Sequence, residues 1–270
     1  MIFVQPRSII ELAAALAEKE GKTVLAAGCT DILPGKIGRP WDADRIIDLT
    51  HIPELQQIAV ENNELFIGSC CTHAQIAENE LVQKYFKALA EACAQVGSVQ
   101  IRNRGTIGGN IANASPAADT MPCLMLFGAE REVIGENGEC ITGFCLPLPE
   151  GPSTGAGIPV SAFAKLGDRD IVTVARIQLA AKSVIRDGRL SAVSVVLGAA
   201  GQTPYFCEEA AAVLEGSRAE EELLEPFAAA LAEAIEAHIP GRSTLAYKRS
   251  AVKGPAAEIL EKLAAAVPRI

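Results

Sequence analysis

The stretch Arg104-Gly105-Thr106-Ile107-Gly108-Gly109-Asn110-Ile111-Ala112-Asn113-Ala114-Ser115-Pro116-Ala117-Ala118-Asp119 packs three glycines and several hydrogen-bonding side chains into one short span. Glycine lets a backbone approach phosphate oxygens closely and turn its N–H groups toward them, while Thr106, Asn110 and Ser115 add hydroxyl and amide donors. Asp119 is an acceptor, suited to a sugar hydroxyl. The pattern suits a diphosphate. Read from the residues alone, the same span also fits a tight turn at Gly108-Gly109 with Asn110, Asn113 and Asp119 as caps and Asx-turns. It sits in a run of turn-formers from Gly97 to Pro116, which is long for a plain connection.

Upstream, Thr23-Val24-Leu25-Ala26-Ala27 reads as a short buried strand that stops at Gly28. Gly28-Cys29-Thr30-Asp31 then lies on a loop at the strand's carboxyl end, where ligands commonly bind. It is the weaker of the two signals, with a single glycine, yet two such loops could clamp one dinucleotide. A nicotinamide-type Gly-x-Gly-x-x-Gly and a P-loop Gly-x4-Gly-Lys-Ser/Thr are both missing.

Around these loops, Ser8 with Glu11 predicts a capping box opening a helix with Ile9, Leu12 and Leu16 on one face and Gly21 past its end. Arg45–Leu49 is a second strand. Residues 57–60 and 65–68 form a hairpin about Glu61-Asn62-Asn63-Glu64. One helix starts after Thr72, and another covers Leu81 to about Cys93. A hairpin about Gly135–Gly138 follows, and then the turning stretch Glu150–Pro159, where the domain boundary is placed. Beyond it, Ile171–Ile185 and Leu190–Gly198 are strands joined by Arg186-Asp187-Gly188-Arg189. Helices cover roughly Glu220–Ala237 and Pro255–Ala266. Strands and helices mix without regular βαβ alternation, so the fold class is α+β.

Composition excludes several classes. The 270 residues are 49% hydrophobic and 21% charged, enough for one large or two smaller cores. A net charge of -9 without a basic stripe argues against a nucleic-acid partner. No apolar run reaches membrane-spanning length and the start lacks a basic leader, which points to the cytoplasm. In that compartment the eight cysteines stay reduced, and none of their spacings makes a zinc or iron–sulfur set. His51, His73 and His238 lack partners at ligand spacing and are expected to be surface or capping residues; Trp41 is expected to pack.

Thr106-Ile107-Gly108-Gly109-Asn110 with the following Ala-Ser-Pro-Ala-Ala-Asp resembles the flavin loop of the FAD-binding subunits of molybdenum hydroxylases, the xanthine dehydrogenase and carbon monoxide dehydrogenase family. Ala27-Gly28-Cys29-Thr30-Asp31-Ile32-Leu33-Pro34 is similar to the family's upstream Ala-Gly-Gly-Thr-Asp-Leu-Leu-Pro segment. Ser161–Gly167 with Asp170-Ile171, and Tyr247-Lys248-Arg249, resemble later family segments.

The resemblance implies a two-lobed FAD-binding domain of the PCMH type over residues 1–159, split near 55, and a smaller C-terminal domain with an antiparallel sheet and helices over 160–270. It implies FAD held by Ala26, Ala27, Gly28, Cys29, Thr30, Asp31, Ile32, Ile101, Thr106, Gly108, Gly109 and Asn110, with Ser115 and Asp119 on the sugar-like part and Lys165 as a flavin contact. No catalytic acid or base is implied, because the flavin carries the redox chemistry. Implied partners are an iron–sulfur subunit and a molybdopterin-binding large subunit, with NAD as one candidate acceptor, and exposed apolar patches are expected where they dock. A self-contained FAD oxidoreductase and a non-redox nucleotide-binding assembly module are the alternatives. This sequence departs from the family in Cys29, where many members carry a second glycine, and in a shorter segment between Lys165 and Asp170.

Overall fold

The computed structural model describes residues 1–18, 21–40, 42–149, 157–169 and 171–267; Trp41, Asp170 and residues 150–156 of the turning stretch lie outside them. The first elements are β1 (Ile2–Val4), α1 (Ile9–Ala17), β2 (Thr23–Ala26), β3 (Arg45–Asp48), β4 (Ile58–Glu61), β5 (Glu64–Gly68) and α2 (His73–Glu78). There follow α3 (Glu80–Tyr85), α4 (Lys87–Ala94), α5 (Val99–Arg102), α6 (Ile107–Ala112), α7 (Met121–Leu126), β6 (Glu130–Ile134) and β7 (Cys140–Pro147). The rest are β8 (Ile158–Gly167), β9 (Ala175–Arg186), β10 (Arg189–Gly198), β11 (Tyr205–Phe206), α8 (Glu208–Leu214), α9 (Leu224–His238), α10 (Leu245–Ala251) and α11 (Lys253–Ala266).

The chain divides into two compact units that interleave in sequence. The first comprises Met1–Ile76, Val99–Ser115 and Ala129–Pro147; the second comprises Ala77–Ser98, Pro116–Gly128 and Leu148–Ile270. Mixed sheets and helices of this kind make an α+β fold.

In the first unit a parallel sheet of order β1-β3-β2 stands beside an antiparallel sheet of order β4-β5-β7-β6. Ser8 caps α1 as expected, its hydroxyl accepting from the Glu11 N–H at 3.2 Å, while the Glu11 carboxylate reaches one residue further back to the Arg7 N–H at 2.8 Å. Leu12 and Ala15 of α1 pack with Ile47, Leu49, Ile52 and Leu55 in one core. At the other end of α1, buried Arg45 donates to the Ala15 and Glu18 carbonyls at 2.6 and 3.0 Å and pairs with the Glu18 carboxylate. A guanidinium there satisfies orphan carbonyls and complements the negative end of the helix dipole. The β4–β5 turn uses Asn62 and Asn63, both at positive φ (49° and 64°), the geometry of a type I′ hairpin.

The second unit is built on an antiparallel sheet of order β11-β10-β9-β8. One face of it, through Ala162, Ala164, Ile177, Leu179 and Ala181, packs with Phe227, Leu231 and Ile235 of α9 and Ile259, Leu260 and Leu263 of α11. The Asp187-Gly188 turn between β9 and β10 has both residues at positive φ.

Three expectations are corrected. The helix read as Leu81–Cys93 is two helices, broken at Phe86 (φ -132°, ψ 46°), whose fully buried ring packs edge-on to Phe127 at 5.0 Å. The turn-rich run from Gly97 to Pro116 contains α5 and α6. The apolar run beginning at Ile171 enters the sheet only at Ala175; Ile171 and Val174 are solvent-exposed and Val172 sits at φ 51°. Among the described residues no helix is long and apolar enough to cross a membrane.

Candidate functional site

The two loops singled out above meet in the first unit. β2 ends where Leu49 takes the Ala26 carbonyl at 2.8 Å, and the chain then turns through Cys29 in the left-handed region, φ 60°. Leu33 N–H closes the turn onto the Cys29 carbonyl at 3.1 Å. The N–H groups of Gly28, Cys29, Thr30, Asp31 and Ile32 make no hydrogen bond to the described residues. Successive unpaired amides in a tight turn form an anion-binding concavity.

The second loop behaves in the opposite way. Thr106 caps α6, its hydroxyl accepting from Gly109 N–H at 3.1 Å. Ile107 N–H goes to the Cys71 carbonyl, Gly108 N–H to Ser69 and Asn110 N–H to Thr106, all at 2.9–3.0 Å. The main-chain donors that the glycine spacing suggested are therefore spent inside the chain. Gly108 is a packing glycine: a Cβ there would stand 2.6 Å from the Ser69 Cβ and 2.7 Å from its carbonyl oxygen. Gly109 is exposed, and an added Cβ would meet only the Thr106 hydroxyl, at 3.0 Å. That open surface is what α6 offers to a ligand.

Contact between the loops depends on Gly28, whose Cβ would fall 1.9 Å from the Arg104 carbonyl oxygen. Gly105 lies against the Thr30 hydroxyl, and Asn113 donates to the Asp31 carboxylate at 3.4 Å. Ile101, on α5, accepts from the Arg104 and Gly105 N–H groups and so shapes the turn into the glycine segment. Ser115 is half-buried at the end of this unit's second segment.

Asp119 and Lys165 belong to the second unit, where they are ion-paired at 2.6 Å with 8% and 4% side-chain exposure. Lys165 also donates to the Gln95 carbonyl at 3.1 Å, and Gln178 donates to the other Asp119 oxygen at 2.7 Å. Burial pushes the Asp119 carboxyl up from its ordinary value, opposed by the Lys165 ammonium and by hydrogen bonds from Lys165 and Gln178. Each carboxylate oxygen thus already has a donor and keeps one lone pair for another. Gln178 escaped the sequence reading because a glutamine in a strand carries no local signal.

His51 and His238 are surface residues, but His73 is not. It is 2% exposed at the start of α2, its N–H bonds the Gly105 carbonyl at 3.0 Å, and its Nδ1 has no partner among the described residues. Burial, aided by the Arg102 charge, pulls its pKa down to about 4, so the imidazole is neutral at neutral pH. The hydroxyl of Ser69, beneath Gly108, is likewise buried without a partner among these residues.

Cys29 donates its thiol to the Ala27 carbonyl at 3.4 Å, and burial pushes its pKa up, so it rests as a thiol. A separate cleft of about 330 Å³ in the first unit, lined in part by Glu54, Glu61 and Glu132, is electronegative and unsuited to a phosphate.

Two family profiles match successive stretches of the chain, whereas the two compact units interleave in sequence. A family profile described as the FAD binding domain in molybdopterin dehydrogenase matches residues 1–143, and the CO dehydrogenase flavoprotein C-terminal domain matches residues 162–263. The carbon monoxide dehydrogenase medium chain of Afipia carboxidovorans is 32% identical over 86% of this chain and 85% of its own. The xanthine dehydrogenase FAD-binding subunit of Escherichia coli O157:H7 is 30% identical over 69% of this chain and 70% of its own. A chain of reconstituted CO dehydrogenase from Oligotropha carboxidovorans superposes with a TM-score of 0.82 at 26% identity, covering 98% of each chain.

Proposed function

We propose, on the premise that this chain belongs to the molybdopterin dehydrogenase FAD-binding family, with FAD as its cofactor and oxidoreduction as its activity, that it is the electron-transfer subunit of a molybdenum hydroxylase complex. In this reading it receives electrons from an iron–sulfur partner, itself served by a molybdopterin-binding large subunit, and delivers them to NAD or another acceptor in the cytoplasm. FAD, when bound, supplies the redox chemistry, and the chain supplies binding and orientation.

The observation that carries the reading is the run of unpaired amides from Gly28 to Ile32, set against the exposed face of α6. Those amides hold the diphosphate, with Thr30 beside them, while Gly109 lets the cofactor lie close to the helix and Asn110 extends from the same turn. On this reading residues 1–159 are the FAD-binding domain, in two lobes split near 55, and 160–270 the C-terminal domain; the matched stretches 1–143 and 162–263 support a boundary between the two domains. Partner docking is supported by apolar side chains left in solvent: Phe3, Ile10 and Ile37 in the first unit, Ile171 and Val174 in the second.

The test is titration of the purified chain with FAD, followed by the flavin absorption spectrum, for the wild type and Gly109→Ala. A Cβ at 109 meets only a hydroxyl, so stability stays within about 1 kcal/mol while FAD affinity drops at least about tenfold, or ~1.4 kcal/mol. Equal affinity of the two proteins would remove α6 from the site, and a wild type that takes up no FAD would sink the reading. Asp119→Ala is a poorer probe, because it strands the buried Lys165 ammonium at a cost of about 3–5 kcal/mol. Loss of flavin in that variant reports stability first.

A further inference from the structure

Arg104 opens the glycine-rich stretch but is not among the FAD contacts that the resemblance implies, yet the fold fixes it beside the amide run. Its carbonyl oxygen is the atom that the missing Cβ of Gly28 accommodates. Its own N–H bonds the Ile101 carbonyl at 3.1 Å and the next N–H, of Gly105, bonds the same carbonyl at 2.6 Å, so the backbone at 104 has little freedom. The side chain is exposed, and its guanidinium has no hydrogen bond or ion pair with the described residues. Arg45, Arg176 and Arg249 are engaged, on α1 carbonyls and Glu18, on Asp168 and on Glu236; among the exposed arginines, what sets Arg104 apart is its place beside the amide run. An uncommitted cation on a chain of net charge -9 stands next to backbone donors that also lack partners. Both features are complementary to the same kind of ligand, an anion with several oxygens. The Cys29 thiol already senses this charge, which works against the burial that raises its pKa.

We propose that Arg104 is a phosphate-binding residue of this site, its guanidinium neutralising the FAD diphosphate that the Gly28–Ile32 amides hold. The assignment rests on the FAD reading given above and deepens it. Amides supply direction and contribute only partial charges, whereas the diphosphate brings full negative charge into a protein that is itself acidic. A guanidinium offsets that repulsion and makes affinity depend on salt.

The experiment measures FAD affinity of the full-length chain at low and high salt for wild type, Arg104→Ala, Arg104→Glu and Arg104→Lys. Arg218→Ala, an exposed arginine in the second unit, serves as the control, and thermal unfolding verifies that each variant is folded. Arg104→Ala weakens FAD about tenfold, Arg104→Glu weakens it further, Arg104→Lys recovers most of the loss, and Arg218→Ala is unchanged. The wild-type affinity falls with added salt and that of Arg104→Ala falls less. ADP, which shares the diphosphate, displaces FAD less well from Arg104→Ala than from wild type; riboflavin, which carries no phosphate, binds the two proteins equally. If the wild type binds FAD and Arg104→Glu binds it as well, the phosphate role of Arg104 is wrong while the FAD site stands. If the wild type binds neither FAD nor ADP, the site reading falls and this assignment falls with it.

Discussion

The two loops of the first unit make an instructive contrast. The segment after β2 has one glycine and leaves its amides from 28 to 32 unpaired among the described residues, while the Thr106–Asn110 segment has two glycines and spends every main-chain donor from 107 to 110 internally. Glycine content is therefore a poor guide to where an anion sits. In the glycine-rich loop Gly108 exists because Ser69 leaves no room for a Cβ; in the other, Gly28 admits the Arg104 carbonyl. Both glycines serve packing. What makes the proposed binding site is the backbone turn at Cys29, which takes five amides out of any ladder among the described residues.

This contrast can be broken at several points. The largest effect is expected for Gly28→Ala, which must push the loops apart to clear a contact of 1.9 Å; it should lose about 3 kcal/mol of stability by chemical denaturation and all measurable FAD binding. If Gly28→Ala keeps both, the loops are not locked together as described.

Acid should attack the second loop through His73. Its native pKa is pulled down to about 4 from 6.5, so the unfolded chain takes up a proton near pH 6.5 that the native state refuses. Stability from this residue is complete above pH 6.5 and declines as pH falls through 4, by up to about 3 kcal/mol. Urea unfolding of wild type and His73→Gln at pH 7 and 4.5 isolates it: the difference between the two proteins should change across that range, and a constant difference would place His73 in a wetter setting than the structure shows.

Removing the cap with Thr106→Ala should cost about 1 kcal/mol, measured as a shift in denaturation midpoint, because Gly109 N–H loses its acceptor. The smallest effect runs the other way. Cys29→Gly relieves a left-handed backbone held by an L residue and should gain about 0.5–1 kcal/mol; a loss would mean that the thiol's bond to the Ala27 carbonyl outweighs the strain.

Features set by near neighbours were legible in the sequence. The Ser8–Glu11 cap, the Asn62-Asn63 hairpin and the Asp187-Gly188 hairpin each depend on side chains or φ preferences within a few residues. The two loops were legible as motifs, but their donor roles are the reverse of what the glycines suggest, because Cys71 and Ser69, more than thirty positions away, take the Ile107 and Gly108 N–H groups. The same reason hid the break at Phe86, decided by Phe127, and the burial of His73, decided by Gly105. Strand β1 escaped notice because Ile2 and Phe3 lie exposed at a sheet edge and show no alternation. Gln178 and Arg45 act through partners across the fold and left no local trace.

The interleaving of the two units bears on how the chain matures during synthesis. Helix α4 is tied to strand β8 through Ser161, whose hydroxyl accepts from Ala88 N–H at 3.1 Å, and through Glu91, which accepts from Phe163 N–H at 2.9 Å. Lys262 of α11 then bonds Glu91 at 3.1 Å. On the ribosome, the apolar face of α4 emerges several seconds ahead of the strand that receives it, at about 5–20 residues per second. The first unit closes only when β7 has been made, and the second waits for α11. A nascent chain arrested between these points carries an uncovered helix, which makes that interval the natural moment for a chaperone to be needed.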